Sequence, residues 1–273
     1  MKWAYGITTV PSRAESTLPW TIRSLKAAGF DRPVLFVDGT PEAGVYDRWG
    51  LDTTIRSTPA RTSGNWSLAL LELYVKEPTA DRYAVFQDDV VMCSNARQYL
   101  EEYRLDGKDD RQYWNLYSFP TNEALKPSDL SHGFYPSNQD GKGALALVFD
   151  RWTALKLITS EYLMHRHMDV GKGHQNLDGG VFVALKNLEF TEMVHYPSIT
   201  QHIGKVSTMN HPEYPRPSSY PGESFDCLSL GVGSQPCSSA TELPPLSRRS
   251  VSLTNLCQRG LVVPVDAEPV RIG

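Results

Sequence analysis

Asp88 and Asp89 close an apolar run, Tyr-Ala-Val-Phe-Gln at 83–87, and two valines follow them. The run reads as a buried strand. Carboxylates are rarely buried without a partner, so an acidic pair at a strand end calls for a cation. A divalent metal that holds a phosphate is one such partner, and it would suit an enzyme working on a nucleotide-activated donor. A solvated strand end beside a helix cap is the plainer alternative. Residues able to serve the same chemistry recur along the chain. Thr8, Thr9 and Arg13 follow a first apolar stretch, and Asp38 ends a second, Val-Leu-Phe-Val at 34–37. Arg61 and Asn65 precede a helical pattern, Gly143 lies in a Gly-Lys-Gly turn, and Asp178 stands before an apolar helix. His202 sits in Tyr-Pro-Ser-Ile-Thr-Gln-His-Ile-Gly at 196–204. Plainer roles exist for each: Asp38 and Gly143 as turn residues, Arg13 and Arg61 as surface charges, Asp178 as a helix cap, His202 as a hydrogen-bonded strand end.

These side chains need elements to hold them. Residues 3–9 read as a strand, 17–28 as a helix stopped by Gly29, and 34–37 as a second strand. A β-α-β order favours parallel strands joined by a right-handed crossover. Ser63 or Asn65 can cap a helix over 66–76, the carboxylate strand at 83–87 follows, and Ser94 can cap the next helix. Strands are expected at 114–119, 144–149 and 192–196. Asp150 should cap a helix over 151–164, and Asp178 one over 179–187. Residues 120–142 read as one long polar loop, a length that often serves binding. Trp114, Tyr117, Phe134 and Tyr135 flank it, as core residues or as a stacking platform. From about 211 the chain turns rich in Pro, Ser and Gly, and 262–263 with 270–272 could add a late strand.

Bulk properties narrow the field. The 273 residues carry 21% charged side chains and a net charge of −4. That length suits one large α/β domain with a tail, 1–210 and 211–273. No basic arm indicates charge-driven nucleic-acid binding. No apolar run is long enough for a spanning helix or a signal peptide, so a cytoplasmic protein is expected. Cys93, Cys227, Cys237 and Cys257 lack zinc spacing; a Cys227–Cys237 disulfide is conceivable. His165, His167 and His174 invite a metal reading, though solvated loop histidines explain them as well.

The order of these features resembles the GT-A class of nucleotide-sugar glycosyltransferases. The closing Tyr196–Ser207 segment looks like the end of the catalytic domain in N-acetylglucosaminyltransferase-like families. The resemblance spans roughly residues 3–208. It implies a mixed, mostly parallel sheet flanked by helices, followed by an irregular C-terminal extension. It also implies Mn²⁺ or Mg²⁺, cations that bridge the donor's phosphates and take oxygen ligands, with imidazole tolerated by Mn²⁺. On this resemblance Asp89 and His202 bind the metal, and Asp88 faces the sugar or ribose. Thr8, Thr9 and Arg13 form the nucleotide pocket, with Asp38, Arg61 and Asn65 nearby. Gly143 lets backbone approach the donor, and Asp178 serves as base for an inverting transfer, with Asp140 as a rival. Gln87 departs from relatives that carry an acid there.

The expected activity is therefore transfer of a sugar from a nucleotide-sugar donor, UDP-linked, to an acceptor hydroxyl. The acceptor could be a glycan, a protein or a hydroxylated DNA base, and a phage or bacterial source fits better than a Golgi one. A nucleotidyltransferase would want a Gly-rich basic loop after the first strand, where Pro11 and Arg13 stand instead. A non-catalytic nucleotide-sugar-binding module is the other alternative.

Overall fold

A computed structural model describes residues 1–105, 107–138, 143–161, 163, 177–204 and 216–231, all within one compact unit, Met1–Pro236. Its strands are β1 (Trp3–Thr9), β2 (Val34–Asp38), β3 (Thr53–Arg56), β4 (Arg82–Gln87), β5 (Val90–Met92), β6 (Gln112–Asn115), β7 (Gly133–Pro136), β8 (Ala146–Asp150), β9 (Thr191–Tyr196) and β10 (Thr200–His202). The helices are α1 (Leu18–Ala27), α2 (Gly44–Asp47), α3 (Arg61–Lys76), α4 (Ala96–Glu101), α5 (Pro120–Glu123), α6 (Arg151–Ile158) and α7 (Leu177–Asn187).

Eight strands form one sheet in the order β3-β2-β1-β4-β8-β6-β9-β7. The β3-β2-β1-β4 half is parallel, β8 runs antiparallel to β4 and β6, and β9 is parallel to β6. This is the mixed, mostly parallel sheet expected of a GT-A-like fold. Burial on both faces explains why its strands read as continuous apolar runs. Alternate residues serve two cores. Ile7, Leu35, Val37, Ala84, Phe86 and Val148 join α1 and α4 on one face. Ala4, Phe36, Tyr83, Val85, Leu147 and Phe149 join α3, α6 and α7 on the other. The period of two is the strand's own geometry, and it fixes which residues beyond each strand end continue toward which face.

Several boundaries differ from expectation. The loop expected at 120–142 holds α5, begun by Pro120, and β7, an edge strand paired with β9. Trp114, Tyr117, Phe134 and Tyr135 are core residues here, not an exposed platform: all are buried, and Trp114 stacks on Phe134 at 4.6 Å. Helix α3 starts at Arg61, earlier than 66, and neither Ser63 nor Asn65 caps it. Its cap comes from far away, as both Asp38 oxygens accept backbone N–H groups, from Ala60 and Arg61, at 2.7 Å each. Asp150 caps α6 as expected, accepting from the Thr153 N–H. Helix α7 begins at Leu177, so Asp178 lies inside its first turn and not before it.

Beyond β10, residues 216–231 pack against the β5–α4 joint. Ser94 and Asp226 form a parallel bridge there, and the Cys227 thiol lies against that of Cys93. Both cysteines are free and buried. Cys237, the histidines at 165, 167 and 174, Asp140 and the strand expected at 262–272 lie outside the described residues.

Candidate active site

The β1–β4 pairing ends at Thr8↔Gln87. The next residues, Thr9 and Asp88, therefore emerge side by side at the carboxyl edge of the parallel strands, where open α/β sheets bind ligands. Thr9 donates its hydroxyl to Asp88 Oδ2 at 2.6 Å, and Thr21 on α1 donates to the Asp88 carbonyl at 2.9 Å. The Val10 N–H also serves the Asp88 carboxylate. Asp88 thus turns back onto the end of β1. Burial, reinforced by the neighbouring Asp89 charge, pushes its pKa up to about 7, against the pull of Thr9 and Arg13.

Asp89 points elsewhere. The chain turns over into β5, which pairs antiparallel with β10 in a separate two-stranded ribbon, with His202 opposite Val90. That register brings His202 Nε2 to 3.1 Å from Asp89 Oδ2, across 113 residues of sequence. The Ile203 N–H closes the turn on the Asp89 carbonyl at 2.8 Å. Arg13, from the 3₁₀ turn Pro11–Arg13, reaches the same Oδ2 at 3.6 Å. Both Asp89 and His202 are buried. Among the described residues nothing hydrogen-bonds to the buried Asp89 Oδ1. Gly204 completes the cradle. A Cβ there would stand 2.6 Å from His202 Cε1 and 3.0 Å from Asp89 Oδ2.

This donor set fits a hard divalent cation in a limited sense. Asp89 offers a carboxylate with a spare oxygen, and His202 offers a ring nitrogen beside it; phosphate and water oxygens would have to complete the shell. Among the described residues no three His, Cys, Asp or Glu side chains gather to hold an ion by themselves.

The remaining expected residues fall into separate groups. Asp38 and Asn65 lie at the β2–α3 joint. Asn65 donates to the Phe36 carbonyl at 2.9 Å and accepts from Arg56 at 2.8 Å. Both are buried, so they fix where α3 begins; Arg61, at the same joint, is exposed and has left-handed backbone (φ 61°). Thr8 faces the opposite side of β1 from Thr9 and donates to the Phe86 carbonyl at 3.3 Å. Gln87 ties β4 to the glycine turn, donating to the Ala144 carbonyl at 2.8 Å. Gly143 there has φ 78°, and an added Cβ would lie 2.5 Å from the Tyr117 ring, so only glycine passes beneath it. Asp178 belongs to α7, which leads into β9. Because β9 runs parallel to β6, and so to β4, the α7 start lies toward the same sheet edge.

The structure also adds residues that the sequence did not single out. Thr21 and Gly204 carry no motif of their own, although Gly204 ends the His-Ile-Gly segment. Tyr46 on α2 is buried, its hydroxyl lacks a partner among the described residues, and burial together with the Asp88 charge raises its pKa. Nothing in its local sequence marks it.

No family model matches the chain, and no curated protein does. Solved structures share its fold. GalNAc-T7, solved with UDP, GalNAc and Mn²⁺, superposes with TM-score 0.52 at 12% identity over 83% of this chain and 47% of that one. The chain thus spans about half the length of GalNAc-T7 (47%). A looser likeness is mannose-1-phosphate geranyltransferase from Thermus thermophilus, with TM-score 0.42 and 15% identity over 71% of this chain and 73% of that one. No described helix is long and apolar enough to cross a membrane.

Proposed function

We propose that this chain is a transferase that uses a nucleotide-sugar donor, UDP-linked, and moves the sugar to an acceptor hydroxyl with inversion. The observation that carries the proposal is the meeting of Asp89, His202 and Arg13 at one oxygen, at the carboxyl edge of β1 and β4 in a GT-A-like sheet. A buried carboxylate with a spare oxygen, an imidazole and a guanidinium are the groups that a diphosphate and its cation require. The cation, Mn²⁺ or Mg²⁺, would be held by Asp89 and His202 and would supply stabilisation of the diphosphate leaving group. That the fold neighbour GalNAc-T7 was solved with UDP and Mn²⁺ supports this choice.

The chain's own residues divide the remaining work. Arg13 binds phosphate oxygens. Thr9 and Thr21 hold the Asp88 main chain and side chain so that Asp89 is aimed at the site. Asp38, Asn65, Arg61 and Thr8 border the nucleotide pocket, the first two by fixing the start of α3. Gly143 allows backbone to approach the donor. Asp178, in the first turn of α7, is the proposed base that takes the acceptor proton. The acceptor is a glycan, a protein or a hydroxylated DNA base, and the proposed compartment is the cytoplasm.

The test is a calorimetric titration with UDP, with and without Mn²⁺, followed by an assay of UDP release from UDP-sugars. Metal-dependent UDP binding with release supports the transferase, and Asp89→Ala should abolish release while leaving the far-UV circular dichroism unchanged. Binding without turnover identifies a nucleotide-sugar-binding module. Activity only with a nucleoside triphosphate and a sugar phosphate identifies a nucleotidyltransferase.

A further inference from the structure

Arg13 pairs with one oxygen of the carboxylate that the cation needs. Its guanidinium lies 3.6 Å from Asp89 Oδ2, the oxygen that His202 Nε2 also contacts at 3.1 Å. All three side chains are largely withdrawn from water, at 11% exposed for Arg13, 9% for Asp89 and 1% for His202. In such surroundings a guanidinium and a divalent ion at one oxygen repel strongly, because solvent screens them little. Arg13 beside Oδ2 therefore weakens a cation held at either oxygen of this carboxylate.

Arg13 nevertheless has an alternative partner of higher charge. It sits on a 3₁₀ turn between β1 and α1, at the sheet edge where a diphosphate would lie. Guanidinium pairs with phosphate oxygens in the same forked geometry as with carboxylate. Asp89 Oδ1, buried and without a partner among the described residues, marks the space on the other side of the carboxylate that a ligand or ion would fill.

We infer that Arg13 is an exchange residue: it neutralises Asp89 while the site is empty and transfers to the donor's diphosphate on binding, which releases Asp89 to the cation. Nucleoside diphosphate and divalent cation then bind with positive coupling, and the cation alone binds weakly. By reciprocity the cation must strengthen diphosphate binding by the same factor. This rests on the proposed metal-dependent reading of the site and adds to it an order, diphosphate before or together with metal, built into a single ion pair.

The experiment measures Mn²⁺ binding by the loss of the free-ion paramagnetic resonance signal, for wild type and Arg13→Met, each with and without UDP and corrected for Mn²⁺ bound by UDP alone. Wild type should take up Mn²⁺ at least about tenfold more tightly with UDP than without, within the usual range of coupling between sites. Arg13→Met should bind Mn²⁺ alone about tenfold more tightly than wild type does, and UDP should then add less. Arg13→Gln serves the same purpose if the methionine variant does not fold, as judged by its thermal melt. Neutral variants whose Mn²⁺ affinity without UDP is unchanged or weaker, while UDP still promotes Mn²⁺ binding, overturn the exchange and leave the metal site standing. Wild type that takes up no Mn²⁺ even with UDP overturns the metal reading and the exchange together.

Discussion

Asp88 and Asp89 are adjacent, yet their carboxylates serve different neighbours. Asp88 folds onto Thr9 and the Val10 N–H, and Asp89 meets His202 and Arg13. Their substitutions should differ accordingly. Asp89→Ala is expected to abolish nucleotide release with the fold retained, because Asp89 is a proposed ligand position; release at the wild-type rate would remove it from the site. Gly204→Ala acts on the same pair by a different route. The added methyl would press on His202 Cε1 and Asp89 Oδ2, and both side chains would have to shift. Misplacing reacting groups by about 1 Å can cost about a hundredfold in rate. Steady-state kinetics of Gly204→Ala should show a loss of that order, and wild-type kcat/KM in this variant would mean that the cradle does not matter.

Short elements do most of the positioning. The three-residue strands β5 and β10 are what carry His202 to the doublet. Three residues are too few for a periodicity to register, so neither strand was legible, although Asp89 and His202 themselves were. Helix α3 shows the converse. Its apolar face was plain in Trp66, Ala69, Leu70 and Leu73, but its start was not, since the capping carboxylate belongs to Asp38 at the end of β2. Removing that cap, Asp38→Ala, should lower stability by about 1–2 kcal/mol, as loss of a helix cap does, and more if the two N–H groups stay dry. Urea unfolding measures this. An unchanged midpoint would show that water replaces the carboxylate without cost.

At the scale of the molecule, two buried groups pull the pH dependence of stability in opposite directions. His195 is fully buried. Its Nε2 lies 2.8 Å from the Tyr99 hydroxyl and its Nδ1 2.7 Å from the Pro197 carbonyl. Burial holds its pKa down at about 4 from the ordinary 6.5. Between those values the unfolded chain binds a proton that the fold does not, so His195 withdraws stability as pH falls, roughly 3 kcal/mol in all. Asp88 does the reverse. Its folded pKa of about 7 lies above the ordinary 3.8, so the fold keeps a proton that the unfolded chain has lost. Its contribution is present below 3.8 and disappears as pH rises to 7, on the order of 4 kcal/mol. From about pH 4 to 6.5 the two slopes nearly cancel. Asp88→Asn should therefore be more stable than wild type at about pH 8 in chelating buffer, and should lose stability as pH falls from 6.5 to about 4. Melting temperatures from about pH 8 to about pH 4 check both halves, and a variant that parallels wild type at every pH would contradict the burial of Asp88.

Local residues determined the β-α-β opening, the buried strands, the acidic doublet at a strand end and the distant histidine, because hydrophobic periodicity and turn chemistry act within a few residues. Folding decided what those pieces do together. Register across β1 and β4 sets Thr9 beside Asp88, and register across β5 and β10 sets His202 beside Asp89. The chain turns Arg13 onto that same carboxylate and, among the described residues, leaves one of its oxygens unpaired. Hydrogen-bond register and close packing join residues more than a hundred positions apart, and no window along the chain contains both partners of such a contact.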